Sequence, residues 1–510
     1  MLTGDMLRRS AERLPDKAAI IWENSRLSYR ELNEQANRFA HALLGLGVKK
    51  EAKVAIISRN RPEYAIAFFG AARSGCVLVN VSVLYALDEL LYVLDKADVE
   101  VLIFENAFAE KAVAAAAKLQ KVRRTIVIGG IADGAVPFDN LIEGQSASYP
   151  DVAVDERDPF CMTYTGGTTG RPKGVLASHR ARAVTAHTVL VESGLSETDV
   201  VAVVTPLFHV AALNIMLQPA ILVGATSVLM AKWDVSVFAD LVRTHRVSAT
   251  FMVPTQVSMV ISDPNFLAQD YQSWIRLNFS GAPMPDWVQR ELATKLPQIR
   301  TTQFYGQSEM GIVASTKAAY LPAKLGTVGR QVFNVDMAVV DTNGVPVKPG
   351  EIGEIVTRGD NVMLEYYNEL EQTKAFWRHG WAWSGDLGTI DADGFVTLVD
   401  RSKDMIISGG ENIYPKEIED VLYQHPSVSE CAVFGIPDDK WGEVPAAYVQ
   451  LKVSDSASTE ELISHCEERL ARFKRPRLVK LVDGFPKTPI GKIQKNLLRE
   501  EYWADRKKKI

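Results

Sequence analysis

From Ser28 to beyond residue 240 the chain alternates between helical and extended patterning, and this constrains its fold more than any other feature. Ser28 with Glu31 forms a capping box, in which a serine hydroxyl and a glutamate three residues on satisfy the first free amides of a helix. Leu32, Ala36, Phe39, Ala40, Leu43 and Leu44 then recur at helical spacing until Gly45 and Gly47. A strand starting at Val54, a helix opened by Pro62 and a strand over residues 77–81 follow. Strands separated by helices pair in parallel and are covered on both faces. From Gly329 the texture changes, with the turn signals DTNG, KPGEIGE and DADG separating short β segments, as in an antiparallel subdomain. After Asp400 the alternation restarts. A helix is expected over 415–423, strands over 431–434 and 447–451, a helix behind a second capping box (Ser458 and Glu461), and a strand over 478–482. The predicted class is α/β: a large N-terminal domain (1–400) of parallel-sheet subdomains plus a β-rich subdomain, a junction at 401–403, and a small α+β C-terminal domain (404–510).

Residues 200–231 contain no Lys, Arg, Asp or Glu, a run long enough to span a bilayer. Pro206, His209, Asn214, Gln218, Pro219 and Gly224 interrupt it, so it reads as strand, loop, helix and strand of a buried core. At 510 residues and 47% hydrophobic, the chain is a multi-core globular protein, which excludes disordered and collagenous classes. A net charge of -5 supplies no global field for nucleic acid or an anionic membrane. Cys76, Cys161, Cys431 and Cys466 have neither zinc-site spacing nor the density of a disulfide framework, and a reducing cytosol fits them. Neither terminus carries a recognisable address, so a cytoplasmic enzyme is expected.

The chemistry concentrates in YTGGTTGRPKGV, residues 164–175. Glycines at 166, 167, 170 and 174 free the backbone to turn its N–H groups into one concavity. Thr165, Thr168 and Thr169 add hydroxyl donors and Lys173 adds a point charge, the components of a polyphosphate cradle. It is not a Walker A loop, because the only Gly-Lys dipeptide, Gly491-Lys492, is followed by isoleucine.

This loop resembles the signature of the adenylate-forming superfamily, which contains acyl-CoA synthetases, firefly-type luciferases and peptide-synthetase adenylation domains. Further matches follow in the family's order over essentially the whole chain. They are Pro206-Leu-Phe-His209, Ser280-Gly-Ala-Pro283, Tyr305-Gly-Gln-Ser-Glu309, Trp383-Ser-Gly-Asp386, Asp400-Arg-Ser-Lys-Asp404 running into SGGENIYPKEIE, and Pro486-Lys-Thr-Pro-Ile-Gly-Lys492.

The resemblance implies that a carboxylate attacks the α-phosphate of ATP, releasing pyrophosphate, and that the acyl group then passes to a thiol. Two anions must meet, and Lys492 matches the family's catalytic lysine. One such charge at about 4 Å in a medium of effective dielectric near 20 is worth about 4 kcal/mol. Glu309 matches the Mg2+ anchor, since magnesium bridging phosphates takes one or two protein carboxylates. Ser308 stands where the family usually has threonine, which keeps the hydroxyl and loses a methyl group. By the same resemblance Tyr305 stacks on adenine, with Gly281, Ala282, Pro283 and Gly306 beside it, and Asp386 and Arg401 bond the ribose hydroxyls. The implied nucleotide site also takes in Gly166, Gly167 and Gly170.

For the acid, His209 matches an aromatic gate beside the carboxylate, and Ala211, Ala212, Leu213, Val253, Ile312 and Val313 match pocket-lining positions. All six are apolar, which implies a hydrophobic monocarboxylic acid: fatty, aryl or alicyclic. Gly409 and Gly410 match the loop lining the pantetheine tunnel. Residues 472–510 carry 13 Lys or Arg against 4 Asp or Glu, a basic segment that suits either CoA phosphates or a solvated tail. Lys403 matches the hinge that makes the C-terminal domain mobile. The implied cofactors are ATP, Mg2+ and CoA, with a homodimer left open. Charging of a separate carrier protein and a luciferase-like oxygenase are alternatives within the family. A serine hydrolase of the α/β type would need G-x-S-x-G, and the nearest string, Gly306 to Gly311, has its second glycine one position late.

Overall fold

The computed structural model describes residues 1–165, 172–282, 284–401, 404–409, 411–452, 455–488 and 493–503. The chain divides into two compact units. One holds the chain to Met337 together with Thr357–Ala382, and the other holds Ala338–Val356 and the residues described from Trp383 on.

The first unit contains two sheets whose strands are separated by helices, as the alternation requires. In one, Pro159–Thr165, Val77–Asn80, Lys53–Ile57, Val99–Glu105 and Arg124–Ile128 run parallel. Val54 and Ile56 face a core with Phe39, Phe68 and Phe69, whereas Ala55 and Ile57 face another with Leu90, Val93 and Leu94. Burial on both faces explains why these strands are apolar throughout rather than alternating. In the other sheet Thr226–Leu229, Val200–Val203, Ala249–Met252, Arg276–Phe279 and Arg300–Gln307 are parallel, and Gly311–Lys317 returns antiparallel. The covering helix Tyr29–Gly45 begins at the expected capping box, with Ser28 accepting from the Glu31 amide.

The uncharged stretch forms strand Val200–Val203, a π-helical segment Ala211–Leu217, helix Gln218–Val223 and strand Thr226–Leu229. The wide π turns were not legible beforehand. Pro219, which has no N–H for the carbonyl four residues back, sits where they give way to ordinary helix. Among the described residues no helix is long and apolar enough to cross a membrane.

The second unit bears out the turn signals. Asp341 and Asp391 each accept two backbone N–H bonds from residues further along DTNGV and DADGF, at 2.9 Å in each case. Gly344 and Gly394 close these turns at φ 80° and 83°, where glycine is unstrained. The two short strands expected after residue 430 are longer. Val428–Asp438 and Gly442–Leu451 make one hairpin, with Asp438 opposite Gly442. Pro437 and Pro445, which lack the N–H a ladder uses, both sit within it. Helix Pro415–Leu422, helix Thr459–Glu467 with its Ser458 cap, and strand Leu478–Leu481 complete the α+β element, closed over Ile406, Ile418, Leu422, Val433, Val449 and Leu462.

Candidate active site

Strand Pro159–Thr165 leads into the glycine-rich segment and strand Lys173–Ser178 leaves it, with Thr165 paired to Lys173 across the antiparallel ladder. Gly166, Gly167, Thr168, Thr169 and Gly170 lie outside the described residues. Lys173 sets its Nζ 5.0 Å over the ring of Tyr366, and the Tyr366 hydroxyl donates to Glu309 Oε1 at 3.0 Å. The Met363 amide donates to the Glu309 carbonyl at 2.7 Å. A cation, a phenol and a carboxylate from three separate stretches of chain thus meet beside the loop. Lys173 and Glu309 were expected there; Tyr366 was not, because nothing in its local sequence distinguishes it.

Glu309 and Ser308 occupy the turn between strands Arg300–Gln307 and Gly311–Lys317, which also carry Tyr305, Gly306, Ile312 and Val313. Tyr305 is buried. At Gly306 a side chain would meet the Gly311 carbonyl carbon at 2.9 Å and Ile312 Cα at 3.1 Å, with the Gly311 oxygen closer still. The glycine is therefore required by hairpin closure as well as by any ligand. Ser280, Gly281 and Ala282 follow strand Arg276–Phe279; Gly281 adopts φ 93°, Ala282 is exposed, and Pro283 lies outside the described residues.

Pro206 to His209 form a loop pinned by Asn60, a buried residue. Its Oδ1 accepts from the Leu207 amide at 2.7 Å, while its Nδ2 donates to the Thr205 carbonyl at 2.8 Å. His209 Nδ1 accepts from the Ala211 amide at 3.2 Å, which fixes the imidazole at the start of the π-helical segment. Asn60, in the loop that follows strand Lys53–Ile57 of the other sheet, was missed by sequence reasoning. The expected acid-lining residues divide. Ala211, Ala212 and Leu213 belong to one apolar cluster with Val253 packed against it, whereas Ile312 belongs to another with Val189 and Phe304. Val313 is fully buried.

In the second unit Asp386 lies opposite Arg401 across the ladder, and its Oδ1 accepts from Arg401 Nε at 3.0 Å. The pair expected to hold a ribose diol is thus preassembled. Beside it, burial pushes the Asp400 carboxyl up to about 6, while its oxygens accept from the amides of Arg401 and Lys416 at 2.6 and 2.9 Å. Gly409 adopts φ 59°, and a side chain there would meet the Trp441 ring at 2.6 Å. Its amide donates to the Trp441 carbonyl at 2.7 Å. The positive φ and the neighbouring indole thus already favour glycine at this position. Lys403, Gly410 and Lys492 lie outside the described residues, but the flanks of the last are tied together: Lys487 bridges Ile493, and the Gln494 amide donates to the Pro486 carbonyl at 2.8 Å. Much of the basic C-terminal segment is neutralised within the unit. Lys474, Lys487 and Lys495 pair with Glu417, Glu430 and Glu419, each at 2.7 Å, which weakens the case for a free phosphate-binding face.

A glycine-rich sequence between two strands, a carboxylate turn and an Asp–Arg pair, ordered along an α/β chain, fit a nucleotide-using enzyme. The family model of AMP-binding enzymes matches residues 7–367, and that of the AMP-binding enzyme C-terminal domain matches residues 417–492. The chain belongs to the AMP-binding enzyme family. It is 36% identical over 497 residues to a feruloyl-CoA synthase of Amycolatopsis sp, covering 97% of this chain and 98% of that protein. It is 34% identical over 509 residues to the long-chain-fatty-acid–CoA ligase FadD13 of Mycobacterium tuberculosis, covering 98% of each. Among solved structures it is similar to the anthranilate CoA ligase AuaEII in complex with anthranoyl-AMP, with TM-score 0.90, 27% identity, and 98% of this chain and 97% of that one covered.

Proposed function

We propose that this enzyme activates a hydrophobic monocarboxylic acid, fatty, aryl or alicyclic, with ATP to give acyl-AMP and pyrophosphate, and then transfers the acyl group to CoA with release of AMP. The observation that carries this reading is the Lys173–Tyr366–Glu309 cluster beside the glycine-rich loop, which sets a fixed cation and a fixed carboxylate at the place where polyphosphate is expected. Full-length similarity to CoA ligases of fatty and aryl acids supports the thioester step and disfavours a carrier protein as acceptor.

Glu309 suits Mg2+. A single carboxylate, oriented by a phenol on one oxygen, fits an ion that takes its remaining ligands from phosphates and water. When bound, the ion would neutralise phosphate charge. The loop amides and Lys173 hold the phosphates, Tyr305 and Gly281 to Pro283 bind the adenine, and Asp386 with Arg401 orients the ribose. His209 gates the carboxylate, Gly409 and Gly410 border the thiol path, and Lys403 is the hinge between domains 1–400 and 404–510. The enzyme is cytoplasmic, as monomer or homodimer.

The test is to separate the half-reactions. Purified enzyme with Mg-ATP should release pyrophosphate only when an acid is present and form acyl-CoA only when CoA is added. Lys492→Ala should lose adenylation by about a thousandfold, the worth of one well-placed charge at the developing transition state. It should still convert supplied acyl-adenylate to acyl-CoA. Equal loss of both steps would remove Lys492 from the chemistry.

A further inference from the structure

Residues 361–369 cross from the carboxylate turn to the strand that leaves the glycine-rich segment. Asn361 Nδ2 donates to the Met310 carbonyl, and the Met363 amide donates to that of Glu309. Further on, the amides of Leu364 and Tyr367 donate to the Leu176 and Gly174 carbonyls, both at 2.8 Å. They flank the two-residue strand Glu365–Tyr366, which pairs antiparallel with Lys173–Ser178. Successive side chains of a strand point to opposite faces. Tyr366 accordingly meets Lys173 and Glu309, whereas Tyr367 packs on the core of Leu90, Val93 and Met162. Two residues of ladder hold little by themselves, so the placing of Tyr366 depends on what fastens its neighbours.

Asp98 does the fastening. Its Oδ2 accepts from the Tyr367 hydroxyl at 2.9 Å and from Asn368 Nδ2 at 3.1 Å, and its Oδ1 accepts from Lys121 Nζ at 2.7 Å. Two residues earlier Lys96 bridges Glu369 at 2.9 Å, and Lys53 sets its Nζ 4.8 Å over the Tyr367 ring. Asp98 follows helix Leu87–Lys96 with φ 53°, the left-handed conformation in which a helix commonly ends on glycine. Aspartate tolerates that conformation better than most residues, but the local backbone supplies no reason for a carboxylate there. Its partners supply one, since two of its three bonds go to the residues directly after Tyr366.

We propose that Asp98 is a positioning residue for adenylation: it fixes Tyr367 and Asn368, and through them the Tyr366 hydroxyl that orients Glu309. This rests on the reading of Glu309 as the Mg2+ anchor of an adenylating enzyme, and it extends that site to a residue that reaches Glu309 only by way of Tyr367 and Tyr366. The string KADVE around Asp98 carries no motif, and its partners stand 269 and 270 residues further along the chain.

The experiment uses the full-length enzyme with two readouts: Mg2+ titration of acid-dependent pyrophosphate release, and Mn2+ binding in the presence of α,β-methylene-ATP, followed by electron paramagnetic resonance. Asp98→Gly removes the carboxylate where the backbone accepts glycine without strain. It should raise both the Mg2+ concentration for half-maximal release and the Mn2+ dissociation constant by about threefold to tenfold. The rate at saturating metal and the conversion of supplied acyl-adenylate to acyl-CoA should stay near wild type. Tyr367→Phe keeps the ring and loses the bond; it should shift both readouts the same way by less, and it decides the matter if Asp98→Gly fails to fold. Lys121→Met leaves the bonds to Tyr367 and Asn368 in place and should shift neither. Combined with Tyr366→Phe, Asp98→Gly should add no further shift. Metal requirements unchanged in Asp98→Gly and Tyr367→Phe would overturn the assignment while leaving the adenylation reading intact. So would a shift in Lys121→Met as large as that in Asp98→Gly, or one that persists in full beside Tyr366→Phe. Wild-type enzyme that releases no pyrophosphate with any acid would overturn the adenylation reading itself, and this inference with it.

Discussion

Substituting Gly306 by alanine tests whether hairpin geometry, rather than side-chain chemistry alone, sets the carboxylate turn. The added carbon would meet three backbone atoms: the Gly311 oxygen, the Gly311 carbonyl carbon at 2.9 Å and Ile312 Cα at 3.1 Å. No rotamer relieves a clash with backbone, so the two strands must part, and restoring ordinary contact requires a shift on the order of 1 Å. Such overpacking typically costs about 1 to 3 kcal/mol of stability. The functional cost is larger, because Ser308 and Glu309 sit in the turn that this pair closes, and the 3.0 Å bond from Tyr366 to Glu309 would be stretched. A displacement of about 1 Å at reacting groups costs on the order of a hundredfold in rate. Adenylation kcat/KM, read as pyrophosphate release, should therefore fall by about a hundredfold while circular dichroism still reports a folded chain. Gly311→Ala serves as comparison. There the new carbon meets the Thr185 hydroxyl at 2.9 Å and the Asn361 carbonyl at 3.2 Å, and φ is 61°, so strain of about 1 to 2 kcal/mol is expected with a smaller kinetic loss. A Gly306→Ala enzyme within about threefold of wild type, or one less impaired than Gly311→Ala, would refute the reasoning.

Tyr366→Phe removes the phenol that fixes Glu309 and should raise the Mg2+ concentration needed for half-maximal pyrophosphate release by about tenfold, with the rate at saturating metal largely kept; an unchanged metal titration would contradict it. His179 should make the first unit acid-sensitive. It is buried, stacks on Phe160 at 4.5 Å, accepts the Thr3 amide on Nδ1 at 3.4 Å, and burial pushes its pKa down to about 4 from 6.5. The folded state binds the proton less well than the unfolded one, so the stability linked to this group is present above about pH 6.5 and is lost as pH falls toward 4, about 3 kcal/mol in all. Urea midpoints at pH 7.5 and 4.5 should therefore differ less in His179→Gln than in wild type, and equal pH dependence in the two would count against it.

What could be read from the chain divides by the range of the constraint. Both capping boxes, at Ser28 and Ser458, and the turns at Asp341 and Asp391 involve partners within four residues. Their physics is complete in a short string, and each formed as expected. The hairpin Val428–Leu451 did not follow its local signals, because two prolines that would end an isolated strand are tolerated where the partner strand supplies the remaining bonds. The same division runs through the site. Gly306, Glu309 and Lys173 belong to motifs whose spacing is itself the signal. The residues that position them do not: Tyr366 reaches Glu309 from 57 residues away, and Asn60 holds Leu207 from 147 away. Gly409 shows a further limit. Its glycine was legible and was matched to a tunnel-lining loop, yet φ 59° and the Trp441 ring beside it already favour glycine there. A residue type can therefore be forced by the fold and by the ligand together, and a motif match does not apportion the two. Arg182 is the converse case. Nothing in its sequence context distinguishes it, and only the fold shows that it is buried with Nε and Nη2 unpartnered among the described residues. Burial of an unpaired polar group is costly whatever its sequence context, so such groups are where the structure adds most to what the motifs already specify.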